Sequence, residues 1–185
     1  MTLGDRVVVM KDGLIQQCAP PLEVYESPVN RFVAGFVGTP PMNFLNGRVV
    51  RQNGHLYFDE GPEKVRLPER FDRLLTDREG GSMVLGVRPE GMSYTAAGRY
   101  SGVDNILNIT VNVVEPLGDK TDLYAQTAGN KPVVCRVESD RGLSEGMRLA
   151  MHLNMDKVHL FEPGEEGVSV GLKTAGDRAS ATQAV

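Results

Sequence analysis

The sequence predicts a mainly β protein, a compact β-barrel or sandwich preceded by a β-hairpin and two short helices. Short runs rich in Val, Ile, Leu and Phe recur at fairly regular spacing between residues 43 and 163. Gly, Pro and Asn turns separate them, the pattern of a closed or two-layered antiparallel sheet. At 185 residues and 41% hydrophobic content, the chain has enough apolar material for a core.

The first section covers residues 1–39. Val7, Val8 and Val9 form a strand that turns at Asp12–Gly13, a pair tolerant of positive φ, and returns through Leu14 and Ile15. "PLEVYES" follows as a short helix closed by Pro28. "SPVNRFVAGFVG" reads as a second helix, with Ser27 as N-cap and Pro28 in the first helical position. Val29, Phe32, Val33 and Phe36 share one apolar face, and Gly38 ends the helix.

The second section covers residues 40–163. "FLNGRVVRQNGHLYF" is a hairpin turning at Asn53–Gly54. "PERFDRLLTDRE" reads as its one helix. "SMVLGVRPEGM", "NILNITVNVVEPLG", "TDLYAQT", "PVVCRVES" and "MRLAMHLNMDKVHLF" supply further strands. Residues 164–185 are poor in large apolar groups and read as a flexible tail.

Several chemistries find no support. A net charge of −4, without interleaved basic and aromatic residues, disfavours nucleic-acid binding. No apolar run approaches the length of a membrane span. "EPLGDKTD" lacks the earlier glycine of a phosphate-binding loop and reads as a β-turn. His55, His152 and His159 fall in no zinc or metalloprotease spacing, and no nucleophile elbow occurs. Cys18 and Cys135 read as ordinary buried thiols. The expectation is therefore no catalytic residue, no metal site and no cofactor in this chain.

The opening stretch from "MTLGDRVVVMKDG" to "GFVGTPPMNFLNG" resembles the end of the ATP-hydrolysing domain of bacterial sugar-importing ABC transporters and the junction into their regulatory domain. The likeness is to the ATP-binding subunits of maltose-type and glycerol-3-phosphate-type importers. "LGVRPEGM" and "VVEPLGDKTDLYAQ" are similar to signature stretches of that regulatory, OB-like module, the TOBE domain, and "HLFEPGEEG" to its close. The resemblance implies that residues 1–39 are a remnant of the ATPase domain, that residues 40–163 are the TOBE domain, and that the catalytic motifs lie upstream of Met1 in a longer parent. Such a parent would be a transport ATPase using ATP and Mg.

It further implies a homodimer of regulatory domains that tethers paired ATPase subunits, contact with membrane permease subunits through the ATPase, and a cytoplasmic place on the inner face of the plasma membrane. A regulatory protein is a further partner in some relatives. Gly86, Arg88, Pro89 and Glu90, with Glu115, Pro116, Leu117 and Gly118, are expected to be signature positions, Arg88 and Glu90 being candidates for an interface pair; the alternative is a plain turn with both charges solvated. Phe32 and Phe36 are expected to be interdomain anchors. The hairpin, cut off from the rest of its sheet, is expected to pack on a neighbouring copy or to lack order. The solute class implied by "GTPPMNFL" is a sugar or sugar phosphate. The rival reading is a stand-alone OB-like module for a small oxyanion, although "MNFLNGRVV" lacks the Ser/Arg pattern of such modules.

Overall fold

A computed structural model describes residues 4–94, 100, 102 and 104–171. The N-terminal hairpin pairs β1 (Val7–Lys11) with β2 (Leu14–Ala19) in antiparallel fashion. Asp12 and Gly13 both adopt positive φ at its turn, as expected of an Asp-Gly hairpin. Its inner face, with Val9 and Ala19, packs on α1 (Pro21–Glu26) and α2 (Arg31–Phe36) through Val24 and Val33. Val8, Met10, Leu14 and Ile15 remain exposed.

The second helix begins later than expected. Its cap is Asn30, whose side-chain oxygen accepts from the Val33 amide at 2.9 Å, and not Ser27. The Asn30 amide group also donates to Gln16 on β2 at 2.8 Å. One side chain thus starts the helix and fastens it to the hairpin, which the Ser27–Pro28 pair could not do.

Beyond the crossing at residues 37–42 lie two five-stranded sheets. One has the order β12–β6–β3–β4–β5, built from β3 (Asn43–Gln52), β4 (His55–Asp59), β5 (Lys64–Arg66), β6 (Ser82–Val87) and β12 (His159–Phe161). The other runs β10–β9–β8–β11–β7, with β7 (Met92–Ser93), β8 (Ile106–Pro116), β9 (Lys120–Thr127), β10 (Pro132–Glu138) and β11 (Arg148–Leu153). A single core of alternating inward residues joins them, among them Leu45, Phe58, Leu85, Leu107, Leu123, Met151 and Leu160. The Asn43 side chain completes the link. It donates to the Val134 carbonyl and accepts from the Val134 amide, both at 2.8 Å, imitating a strand pair between β3 and β10. The sheets thereby approach closure, the expected OB-like barrel.

Four expectations change. Residues 69–78 form no α-helix: a 3-10 turn at Glu69–Phe71 gives way to successive turns, Phe71 and Leu75 entering the core while Leu74 stays exposed. "MRLAMHLNMDKVHLF" is two strands, because a 3-10 turn at Met155–Lys157 carries the chain from one sheet to the other. Cys18 is exposed on the hairpin, while Cys135 is buried as expected. The tail does not start at 164. Val168 bridges Asn30, Ser169 bridges Phe161, and the Val170 amide donates to the Leu160 carbonyl at 2.7 Å. The rest of that expected tail, 172–185, lies outside the described residues.

The candidate functional site is the seam between helices and barrel

The stretch "GVRPEG", expected to be a signature, stands at the end of β6, where the barrel meets the two N-terminal helices. β6 is apolar and almost wholly buried after Ser82, so its continuation is directed inward. Gly86 is required there, because a Cβ would lie 2.6 Å from the Met42 sulfur and 2.7 Å from the Phe161 ring. Pro89 opens a 3-10 turn to Gly91, closed by the Gly91 amide on the Arg88 carbonyl. This geometry leaves Arg88 only 7% exposed.

Buried guanidinium groups need partners, and Arg88 takes the open ends of two helices. Nη2 donates to the Tyr25 carbonyl in the last turn of α1 at 2.6 Å. Nη1 donates to the carbonyl of Val37, the C-cap of α2, at 2.7 Å. Terminal helical carbonyls have no partner within the helix, and neither helix carries a basic residue in its own last turn. One arginine from the barrel therefore caps both helices. The guanidinium carbon also lies 3.6 Å from the centroid of the Tyr25 ring. Gly38 permits the approach, since a Cβ there would meet Nη1 at 3.0 Å.

Tyr25 donates its hydroxyl to the Glu90 carboxylate. Burial, with that carboxylate adding to it, pushes its phenol up to about 12. Arg88 and Glu90 thus do not pair directly within the chain: Arg88 is buried and Glu90 exposed, and Tyr25 lies between them, its ring against Arg88 and its hydroxyl on Glu90.

Arg136 reinforces the same crossing. It grips buried Asp122 with two donors at 2.7 Å and donates a third hydrogen bond to the Thr39 carbonyl at 2.8 Å. On the far side, residues 162–171 return along the helices. The Arg31 amide donates to the Gly167 carbonyl and the Ser169 amide to the Val29 carbonyl, both at 2.9 Å. Lys11 reaches Glu165 and Glu166 at 3.1 and 2.7 Å.

Between α1, the 69–74 turns and the returning segment at 169–171 lies a cavity of about 640 Å³. It is bordered by Arg70, Arg88 and Glu90, and by Asn154, His159 and Ser169. Burial first, then the charges of Arg88 and Arg70, push the His159 imidazole down to about 4, so it is neutral at physiological pH. Among the described residues no group of three or more His, Cys, Asp or Glu side chains could hold a metal ion, and no helix is long and apolar enough to cross a membrane.

The remaining expected positions lie elsewhere. Glu115 and Pro116 end β8, and Leu117 and Gly118 form the exposed tip of the β8–β9 hairpin, where the Leu117 amide donates to the Lys120 carbonyl. Glu115 is the register partner of Asp122, the residue Arg136 grips, while Leu117 and Gly118 lie out at the hairpin tip. Phe32 is half-buried, packs on the small cluster around Val9 and Val33, and stacks on Phe36, which is 66% exposed. Sequence reasoning missed the capping role of Arg88, the Asn43 bridge and the Arg136–Asp122 grip. A signal existed for the first, an arginine placed directly after an unbroken apolar strand and before a proline.

A barrel of this order, carrying GVRPEG at its junction, is an OB-type transport-associated domain. The chain matches the MalK OB fold domain over residues 38–92 and the TOBE domain over residues 85–161. It is 36% identical over 165 residues to the trehalose/maltose import ATP-binding protein of Thermococcus litoralis, covering 88% of this chain and 43% of that protein. It is 37% identical over 164 residues to the sn-glycerol-3-phosphate import ATP-binding protein of Chromohalobacter salexigens, covering 88% of this chain and 41% of that one. The chain therefore carries a MalK-type OB fold domain and a TOBE domain, is similar over most of its length to ATP-binding subunits of ABC importers, and spans less than half the length of these relatives. A solved structure of the cytoplasmic molybdate-binding protein ModG superposes with a TM-score of 0.51 at 18% identity, covering 65% of this chain and 96% of that one, a likeness of fold.

Proposed function

We propose that this chain is the regulatory and dimerisation unit of the ATP-binding subunit of an ABC importer for a sugar or sugar phosphate. It holds two ATPase domains together and offers a surface to regulators. It performs no hydrolysis itself and takes no cofactor; ATP and Mg belong to the ATPase of the parent. Its partners are a second copy and, through the ATPase domain, the permease on the inner face of the plasma membrane.

The observation that carries this reading is the seam. A tether transmits force only if the holding domain is rigidly joined to what it holds. Here a buried arginine of the barrel terminates both helices of the N-terminal segment. Paired barrels keep the attached domains at high effective concentration, so reclosure is intramolecular. The face suited to pairing is the outer side of the β8–β9 hairpin, where Val113 and Tyr124 are register partners and, with Leu117, are exposed.

The test is a chimera in which this chain replaces the matching portion of the Thermococcus litoralis subunit. Transport in reconstituted vesicles should persist with the chimera, fall when Leu117→Asp is introduced, and be lost when the portion is deleted. Undiminished transport after deletion contradicts the proposal.

A further inference from the structure

We infer that the cavity at the seam is a binding site for a small neutral polyhydroxy compound, of the size and chemistry of a mono- or disaccharide. Its volume of about 640 Å³ lies within the roughly 300–1,000 Å³ of small-molecule sites. Three cations, Arg70, Arg88 and Lys157, face three carboxylates, Glu26, Glu90 and Asp156, so the lining carries no net charge with His159 neutral.

The cations are also engaged. Arg88 spends its fork on two carbonyls. Arg70 donates to the Val158 carbonyl at 2.9 Å, and Lys157 lies 3.7 Å from Glu26. An oxyanion would find no excess positive charge here.

A neutral polyol meets what it needs. Carboxylates accept from its hydroxyls, and the hydroxyls of Ser27 and Ser169 and the amide of Asn154, all in the lining, are groups that both donate and accept. Ser169 is 5% exposed, so its hydroxyl has little access to bulk water. Phe71, Leu74 and Val170 supply an apolar wall for the C–H face of a ring. The lining is drawn from α1, the barrel and the returning segment at 169–171 together, so an occupant stiffens the seam. Binding is independent of the importer assignment; only its effect on an attached motor rests on the function proposed above.

The experiment is a titration of the 185-residue chain with glucose, maltose and trehalose, followed by amide NMR and calorimetry. Molybdate and sn-glycerol 3-phosphate serve as charged comparisons. At least one sugar should shift the amides of residues 26–27, 154–159 and 169–171 saturably, with Kd below about 10 mM. Asn154→Ala and Asp156→Ala, both at half-buried or exposed positions, should each weaken binding by about tenfold with the remaining spectrum unchanged. No saturable shift with any of the three sugars overturns the inference, and so does saturation of these amides by molybdate or sn-glycerol 3-phosphate alone. A chain that stays monomeric yet binds sugar refutes the tether and leaves the site standing; a dimer blind to all three sugars does the reverse.

Discussion

Arg88→Ala isolates the seam. The substitution removes two charge-assisted hydrogen bonds, at 2.6 and 2.7 Å, worth about 1.5–3 kcal/mol each. It also removes a cation–π contact of about 1 kcal/mol. Against this stands the desolvation of a guanidinium that is 7% exposed, which returns several kcal/mol when the charge leaves. The net loss is about 2–4 kcal/mol, a large share of the 5–15 kcal/mol that holds a typical domain together. It falls unequally, because the helices and hairpin have their own small cluster while the barrel core is continuous without them. Urea unfolding followed by circular dichroism should show a lowered midpoint, and limited proteolysis should cut residues 5–39 sooner while the barrel resists. Arg88→Lys keeps the charge without the fork and should recover less than half of the loss. A wild-type midpoint together with wild-type cleavage in Arg88→Ala would refute the capping argument.

Gly86→Ala should destabilise by about 1–3 kcal/mol through overpacking against Met42 and Phe161, read as a lowered urea midpoint; an unchanged midpoint means the core yields freely there. His159 gives a pH signature. The unfolded imidazole takes a proton near its ordinary 6.5, whereas burial and the neighbouring Arg88 and Arg70 delay this in the folded chain to about 4. Its contribution is therefore complete above pH 6.5 and is lost as pH falls toward 4, the loss reaching about 3 kcal/mol at the lower end. His159→Gln should flatten the stability–pH curve across that window by about one proton; an unaltered slope would assign the effect to other groups.

The elements themselves were legible because their signals are local. Asp12–Gly13 and Asn53–Gly54 both turn with positive φ, and the alternating apolar residues of β3, β8 and β10 face one core. Long-range polar links were not legible. Nothing in the neighbourhood of Asn43 announces Val134, 91 residues away, and Asn30 displaced Ser27 as a cap because it satisfies the hairpin as well as the helix. "PERFDRLLTDRE" has helical composition, and Phe71 and Leu75 are buried at a helix-compatible spacing, yet the segment runs as a 3-10 turn followed by turns. Arg88 stood out in the sequence between an apolar strand and a proline, but its two carbonyl partners depend on where the helices end, which only the packed structure fixes.

Sedimentation equilibrium of this 20.1 kDa chain, alone and as Leu117→Asp, bears most directly on the tether. Reversible self-association to a dimer at micromolar concentration, weakened by the charge at the β8–β9 tip, is the predicted result. A single monomeric species that persists to millimolar concentration would contradict it.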